Sequence, residues 1–252
     1  MKSIKLILAF AAVAISLQFP SLAQTNSSAK VAAGPHVNDA IIPVSQTGPI
    51  TNRQDLVIER AKSATGEYDI EFIGDSITQG WEGAGKNVWK EFYGSRKVIN
   101  MGVSGDRTQH VLWRFENGQL DGVKTKVAVV LIGTNNSGKG RNTPPEILEG
   151  VTAVVNQIRA RQPDTRILLL AIFPRGQTFN WQRGDILQIN QALAKLDDGI
   201  HIFYLDFGSQ FIENDGSISK SIMPDALHPN EAGYRIWANA TEPKLKELLA
   251  QQ

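Results

Sequence analysis

Four short segments of this chain carry side chains suited to acyl-transfer chemistry. The first reads Phe-Ile-Gly74-Asp75-Ser76-Ile-Thr. A serine just past an apolar run, at the start of a helix, is placed to act as a nucleophile, and Gly74 leaves room for a substrate to approach. The helix N-terminus offers backbone N–H groups to a developing oxyanion. The same triplet also suits a plain turn and helix N-cap. The second segment reads Asn100-Met-Gly-Val-Ser-Gly105-Asp106-Arg107-Thr108. Its glycines expose backbone N–H groups, and Asp106 or Thr108 can cap a helix. The third reads Gly133-Thr-Asn135-Asn136-Ser. Asparagine can donate an amide N–H to an oxyanion without adding charge. The fourth reads Pro224-Asp225-Ala-Leu-His228-Pro229-Asn230. An aspartate three residues before a histidine can hold the imidazole through Nδ1, leaving Nε2 to take a proton from a serine.

These segments need a frame that brings them together. Five apolar runs, over 68–74, 97–101, 127–133, 167–173 and 200–205, read as strands. The third and fourth are apolar on both faces, as in a parallel sheet covered on each side. Helical patterns lie between them. Over 144–161, Thr143 and Glu146 form a capping-box pair, Pro144 opens the helix, and Ile147, Val151, Val154, Val155 and Ile158 make one stripe. Residues 184–196 and 231–249 read as two more helices, the last interrupted by Pro243. Strand–helix alternation predicts a doubly wound α/β domain, in which ligands sit beyond the carboxyl ends of the strands. The four segments then converge on one rim.

Taken in order, Gly-Asp-Ser, Asn-x-Gly-x-x-Gly-Asp, Gly-Thr-Asn-Asn and Asp-x-x-His resemble the block pattern of the SGNH/GDSL hydrolases, from about Glu67 to the C-terminal helix. The stretch 100–120 and Val-Leu-Ile-Gly133-Thr-Asn-Asn are similar to the branch of platelet-activating-factor acetylhydrolase catalytic subunits. The resemblance implies a three-layer α/β/α sandwich around a five-stranded parallel sheet. It implies Ser76 as nucleophile, His228 as general base and then acid, and Asp225 as its orienting partner. It implies an oxyanion hole made of the Ser76 and Gly105 N–H groups and the Asn135 side chain. The elbow Gly-x-Ser-x-Gly of the larger α/β-hydrolases is missing, because Thr78 stands in its last position. The branch can dimerise, so a homodimer is compatible with the resemblance.

Composition narrows the remaining classes. Among 252 residues there are 26 Lys+Arg, 25 Asp+Glu and no cysteine, a formal charge of +1. A broad basic surface for nucleic acid is not expected. Thiolate nucleophiles, disulfides and Cys-ligated zinc are excluded. The four histidines (His36, His110, His201, His228) are scattered singly, without an HExxH pair, so neither a metal nor another cofactor is expected. Two stretches, Gly80–Asn87 and Gly133–Gly140, approach a phosphate-binding P-loop but lack its final Ser/Thr. Lys139 and Arg141 lie in a loop near the rim, where a solvated loop is the simpler reading and contact with an anionic substrate such as an acidic sugar the other. Trp81 and Trp181, outside clear helices, are candidates either to stack on a sugar ring or acyl chain or to pack in the core or anchor a loop, while Trp89, Trp113 and Trp237 fall in helices, where core packing is expected.

Residues 1–23 read as an export leader: two lysines, an uncharged run over 6–17, then Pro20 and Ser21-Leu22-Ala23. The run is too short to span a bilayer, so no stable membrane anchor is expected. Residues 24–50, rich in Ser, Asn, Gly and Pro, read as a lead-in, and 51–252 as the hydrolase domain. The expectation is a secreted or periplasmic serine esterase acting on short acyl esters, acetyl above all, of carbohydrate. A phospholipid acetylhydrolase or lysophospholipase is the alternative inside hydrolases. A non-catalytic glycan-binding module is the alternative outside them.

Overall fold

The apolar runs form five strands: β1 (Glu67–Gly74), β2 (Val98–Gly102), β3 (Lys124–Leu131), β4 (Arg166–Leu170) and β5 (Ile202–Leu205). In this computed structural model they make one parallel sheet in the order β2-β1-β3-β4-β5. The structure describes residues 36–250; the expected leader over 1–23 and the first part of the lead-in lie outside them. The helices are α1 (Thr51–Lys62), α2 (Ser76–Gln79), α3 (Lys86–Tyr93), α4 (Thr108–Glu116), α5 (Pro144–Arg161), α6 (Trp181–Leu193) and α7 (Glu231–Ala250). The sheet with its flanking helices is the α/β sandwich that the motif order implied.

The two-residue period of a strand divides the core. Ile70, Phe72, Val129, Leu168 and Leu170 point to one face, against Val88 and Tyr93 of α3 and Trp237 and Leu245 of α7. Ile73, Val130, Ile167 and Leu169 point to the other, against α4, α5 and α6. A smaller cluster packs Val57 and Ala61 of α1 on Ile99 and Met101 of β2. Two fully covered faces explain why the third and fourth runs carry no polar alternation.

Several boundaries differ from the sequence pattern, each for a visible reason. The fourth run stays buried through Phe173, but the strand ends at Leu170. Asn190 of α6 takes over there: its side-chain amide accepts from the Ile172 N–H and donates to the Ile172 carbonyl, both at 2.9 Å. Helix α6 starts at Trp181, ahead of Gly184, because the Asn180 side chain accepts from the Arg183 N–H at 2.9 Å. Helix α7 runs unbroken through Pro243. Proline removes one backbone donor, but Trp237, Thr241, Leu245 and Leu248 are buried on both sides of it, and their packing holds one axis.

The compact unit begins at Val37, so the later part of the lead-in belongs to it. The Asn38 side chain donates to Glu149 at 2.7 Å, and the Thr108 hydroxyl donates to the Ala40 carbonyl at 2.7 Å. The Val44 N–H donates to the Gln109 carbonyl at 3.2 Å. This strap crosses the start of α4, next to the Gly105 loop.

Candidate active site

The carboxyl ends of β2, β1 and β3 lie side by side, with Gly74 in register with both Gly102 and Leu131. The loops that follow them therefore meet. Gly74 sits where a Cβ would collide with the Thr78 side chain and the Leu131 carbonyl, so only glycine lets α2 fold back over the strand end. Asp75 caps α2, its Oδ1 accepting from the Ile77 N–H at 2.9 Å. Ser76 is thereby fixed as the first helical residue, half-buried at the sheet rim.

His228 reaches this serine from the far end of the chain. Ser76 Oγ lies 2.9 Å from His228 Nε2, and His228 Nδ1 lies 2.6 Å from Asp225 Oδ2. A carboxylate at Nδ1 makes that nitrogen the donor, which leaves Nε2 to accept the serine proton. Asp225 Oδ1 accepts from the backbone N–H groups of Leu227 at 3.1 Å and His228 at 2.8 Å. Burial pushes the Asp225 carboxyl upward, but the hydrogen bonds from His228 outweigh it and hold it below the usual range. Ala226, between Asp225 and His228, has φ 56°. That left-handed conformation is strained for a residue with a Cβ. The Gly176 N–H donates to its carbonyl at 2.8 Å, and its side chain is buried in the core, so the tight turn is held from both sides.

Gly105 is exposed at the rim with φ +77°, a conformation that suits glycine and turns the loop. Three side chains clamp this loop. Gln79 Oε1 accepts from the Ser104 N–H at 2.7 Å. Gln46 of the strap donates to the Ser104 carbonyl at 3.1 Å and to Asp106 Oδ1. Arg114 of α4 pairs with Asp106, both side chains fully buried. Asn135 Nδ2 donates to the Asp106 carbonyl at 2.9 Å and lies 3.4 Å from Asp75 Oδ2. The long second contact leaves one N–H that an oxyanion could recruit. The neighbouring Asn136 is fully buried: it accepts from the Thr108 N–H at 2.9 Å and donates to Gln109 at 3.0 Å, fastening the third loop to the second.

The floor of the site is rich in buried carboxyls. Burial pushes Asp75 up to about 7, against the Ile77 hydrogen bond and helped by the Asp106 charge. Burial also raises Asp106, against the pull of Arg114 and Gln46. Glu71 of β1, fully buried, is pushed up to about 8 by burial. Gln119 and Arg114 face it, but neither of its oxygens completes a hydrogen bond. His110, which accepts from the Arg107 N–H at 3.1 Å, is driven down to about 4 by burial and by Arg107, Arg114 and Arg141.

The structure joins Ser76, His228 and Asp225 through hydrogen bonds and sets Asn135 against Asp75 and the Asp106 carbonyl, next to the Gly105 loop. It removes Trp81 from the candidate site. Trp81 is 1% exposed, in a turn below the site, and packs on Tyr234 at 4.5 Å and Trp237 at 5.1 Å between ring centres. The reason is local: at Gly80 a Cβ would strike the Tyr234 hydroxyl, so the bare glycine lets the α7 tyrosine close over the indole. Trp181 is 59% exposed at the start of α6. Arg175 was not singled out from the sequence. It follows β4, and its Nη1 donates to the Thr134 carbonyl at 3.0 Å and hydroxyl at 3.2 Å. The sequence signal for it is a lone charge just beyond the buried run that ends at Phe173. An apolar cleft of about 600 Å³ runs from Pro174 along Phe179, Ile186, Leu187 and Ile212. Among the described residues no three His, Asp or Glu side chains gather to hold a metal ion, and no helix is long and apolar enough to cross a membrane.

A serine–histidine–aspartate relay at the carboxyl rim of a parallel sheet, beside two loops of N–H donors, defines the class of serine acyl hydrolases. The chain belongs to the GDSL-like lipase/acylhydrolase family, whose model matches residues 72–236. It is 38% identical over 192 residues to human platelet-activating factor acetylhydrolase IB subunit alpha1, covering 76% of this chain and 81% of that protein. Among solved structures it is similar to a GDSL-like lipase from Bacteroides thetaiotaomicron (TM-score 0.62, 19% identity, 79% of this chain and 98% of that one). It is also similar to an acetylxylan esterase from Geobacillus stearothermophilus (TM-score 0.55, 18% identity, 73% and 96%). At these identities the two structures speak to the fold.

Proposed function

We propose that the protein is an exported serine esterase that removes acetyl groups from carbohydrate. The observation that carries the esterase reading is the unbroken contact from Ser76 Oγ through His228 to Asp225, at 2.9 and 2.6 Å. In this reading Ser76 Oγ attacks the ester carbonyl carbon and its proton passes to His228 Nε2. The carbonyl oxygen takes the negative charge and is met by the Ser76 and Gly105 N–H groups and Asn135 Nδ2. His228 returns the proton to the alcohol oxygen as the C–O bond breaks, leaving an acetyl-serine. Water, giving a proton to the same Nε2, adds to the acetyl carbon; His228 then returns that proton to Ser76 Oγ as the Oγ–acyl bond breaks and acetic acid leaves. The leader-like residues 1–23 and the near-neutral charge support an exported enzyme acting on a soluble ester.

The test is a panel of acetyl esters, including acetylated plant and bacterial polysaccharides, on wild type and Ser76→Ala. Loss of nearly all turnover is expected. A Ser76→Ala protein with wild-type rates would end the nucleophile assignment.

One observation favours a second reading, a phospholipid acetylhydrolase. The apolar cleft of about 600 Å³ starts at Pro174, the residue before Arg175, and is large enough for an alkyl chain, although Ser76, Asp225 and His228 do not line it. Faster turnover of short-chain phospholipid acetates than of acetylated glycans would select it.

A further inference from the structure

We propose that Arg175, backed by Arg141, is an anion-reading subsite, so that the preferred ester carries a carboxylate or phosphate on its alcohol half. This inference rests on the esterase reading above and names the chemistry of its substrate.

Position comes first. Nη1 of Arg175 is held by Thr134, the residue before Asn135. The next residue, Gly176, is tied through its N–H to the carbonyl of Ala226, between Asp225 and His228. The arginine is thus pinned between the oxyanion loop and the histidine loop, half-buried at the rim.

Charge is the second observation. Arg53, Arg60, Arg96 and Arg114 each have a carboxylate partner. Among the described residues no carboxylate lies within 4.0 Å of the Arg175 guanidinium. Its acceptors are two neutral oxygens on one nitrogen, which leaves the other edge of the fork unused. Asp75 and Asp225 act on it only at longer range, and burial makes its charge harder to hold. Arg141, exposed and without an ion pair among the described residues, adds a like charge to the same neighbourhood, felt by both Arg175 and His110. Two cations kept near each other, one partly desolvated, are relieved by an incoming anion. A planar guanidinium binds carboxylate and phosphate through paired N–H groups. An acetyl group has no place for such a charge, so it must sit on the alcohol.

Three substrates on one sugar test this: a monoacetylated methyl glucoside, its 6-carboxylate (the uronate) and its 6-phosphate. Wild type should favour a charged sugar over the neutral one by about tenfold or more in kcat/KM, a preference that falls with salt. In Arg175→Gln the ratio of charged to neutral should collapse toward one. Arg175→Lys should restore part of it, and Arg141→Gln should reduce it less. Uronate preferred over phosphate points to an acidic glycan; the reverse order points to a phosphorylated alcohol. An enzyme that cleaves 4-nitrophenyl acetate but treats all three sugars alike, or cleaves none of them, overturns the inference. So does an Arg175→Gln variant that loses the same factor on all three. Failure of wild type on 4-nitrophenyl acetate itself would instead strike the esterase reading.

Discussion

The Gln46 side chain donates to the Ser104 carbonyl at 3.1 Å, which ties the strap ahead of α1 to the loop that presents Gly105. This residue touches no reacting atom, yet it sets where a rim N–H points. Gln46→Ala should lower kcat by about tenfold with KM little changed, short of the ~100–1000-fold seen when an oxyanion donor is removed. The loss of stability should be about 1 kcal/mol. Steady-state kinetics and thermal unfolding together check this; an unchanged kcat would mean the loop holds itself.

Asn135 and Asp225 should fail in different ways. Asn135→Ala removes a donor and should cost roughly 100–1000-fold in kcat. Asp225→Asn leaves the turn intact but unsettles the imidazole tautomer, and should cost about 10⁴-fold. Labelling of Ser76 by a serine-directed phosphonate would report both, since each variant keeps the nucleophile.

Trp81 and Trp181 should separate cleanly. Trp81→Ala opens a hole beneath α7 and should destabilise by about 3–5 kcal/mol. Trp181→Ala, at an exposed position, should shift stability by less than about 0.5 kcal/mol. Urea unfolding of the pair decides it.

The stability contributed by Glu71 and Asp75 should fall as pH rises from mildly acid to mildly alkaline, opposed below about 6.5 by His110, whose lowered value acts in the other sense. Glu71 has an ordinary value of 4.5 and a folded value of about 8, so the folded chain holds this proton where the unfolded chain has lost it. This contribution therefore declines between those two values and levels off above them. Asp75, raised from 3.8 to about 7, acts in the same sense. Glu71→Gln should flatten the Glu71 part of the slope, leaving the variant more stable than wild type at pH 8 by more than at pH 5. Equal differences at both pH values would show that Glu71 ionises normally.

The Ser76, Gly105 and Asn135 segments were legible because each is a short motif just after an apolar strand, whereas Asp225 and His228 stand well past β5 and were legible only as a compact Asp-x-x-His motif. Chain order and sheet order do the rest, since β2, β1 and β3 are neighbours and their loops must meet. Gln46 was not legible: its segment has no periodicity, and a contact spanning 58 residues to Ser104 leaves no local trace. Arg175 was hidden as a single charge with no motif around it. Trp81 misled because a tryptophan in a glycine-rich turn looks available, and only the fold shows Tyr234 filling the space above Gly80. Pro243 misled in the opposite direction, since tertiary packing can override one missing donor.

Ser76 and His228 are 152 residues apart, and the Tyr234 hydroxyl just beyond donates to the Ile77 carbonyl at 2.7 Å. The nucleophile thus leaves the ribosome long before its base, and the helix that seats their junction follows both. A growing chain carries Ser76 through most of its synthesis with no partner to activate it. The Ser76–His228 contact exists only once both segments are made and docked, so the nucleophile owes its activation to the most distant pairing in the site.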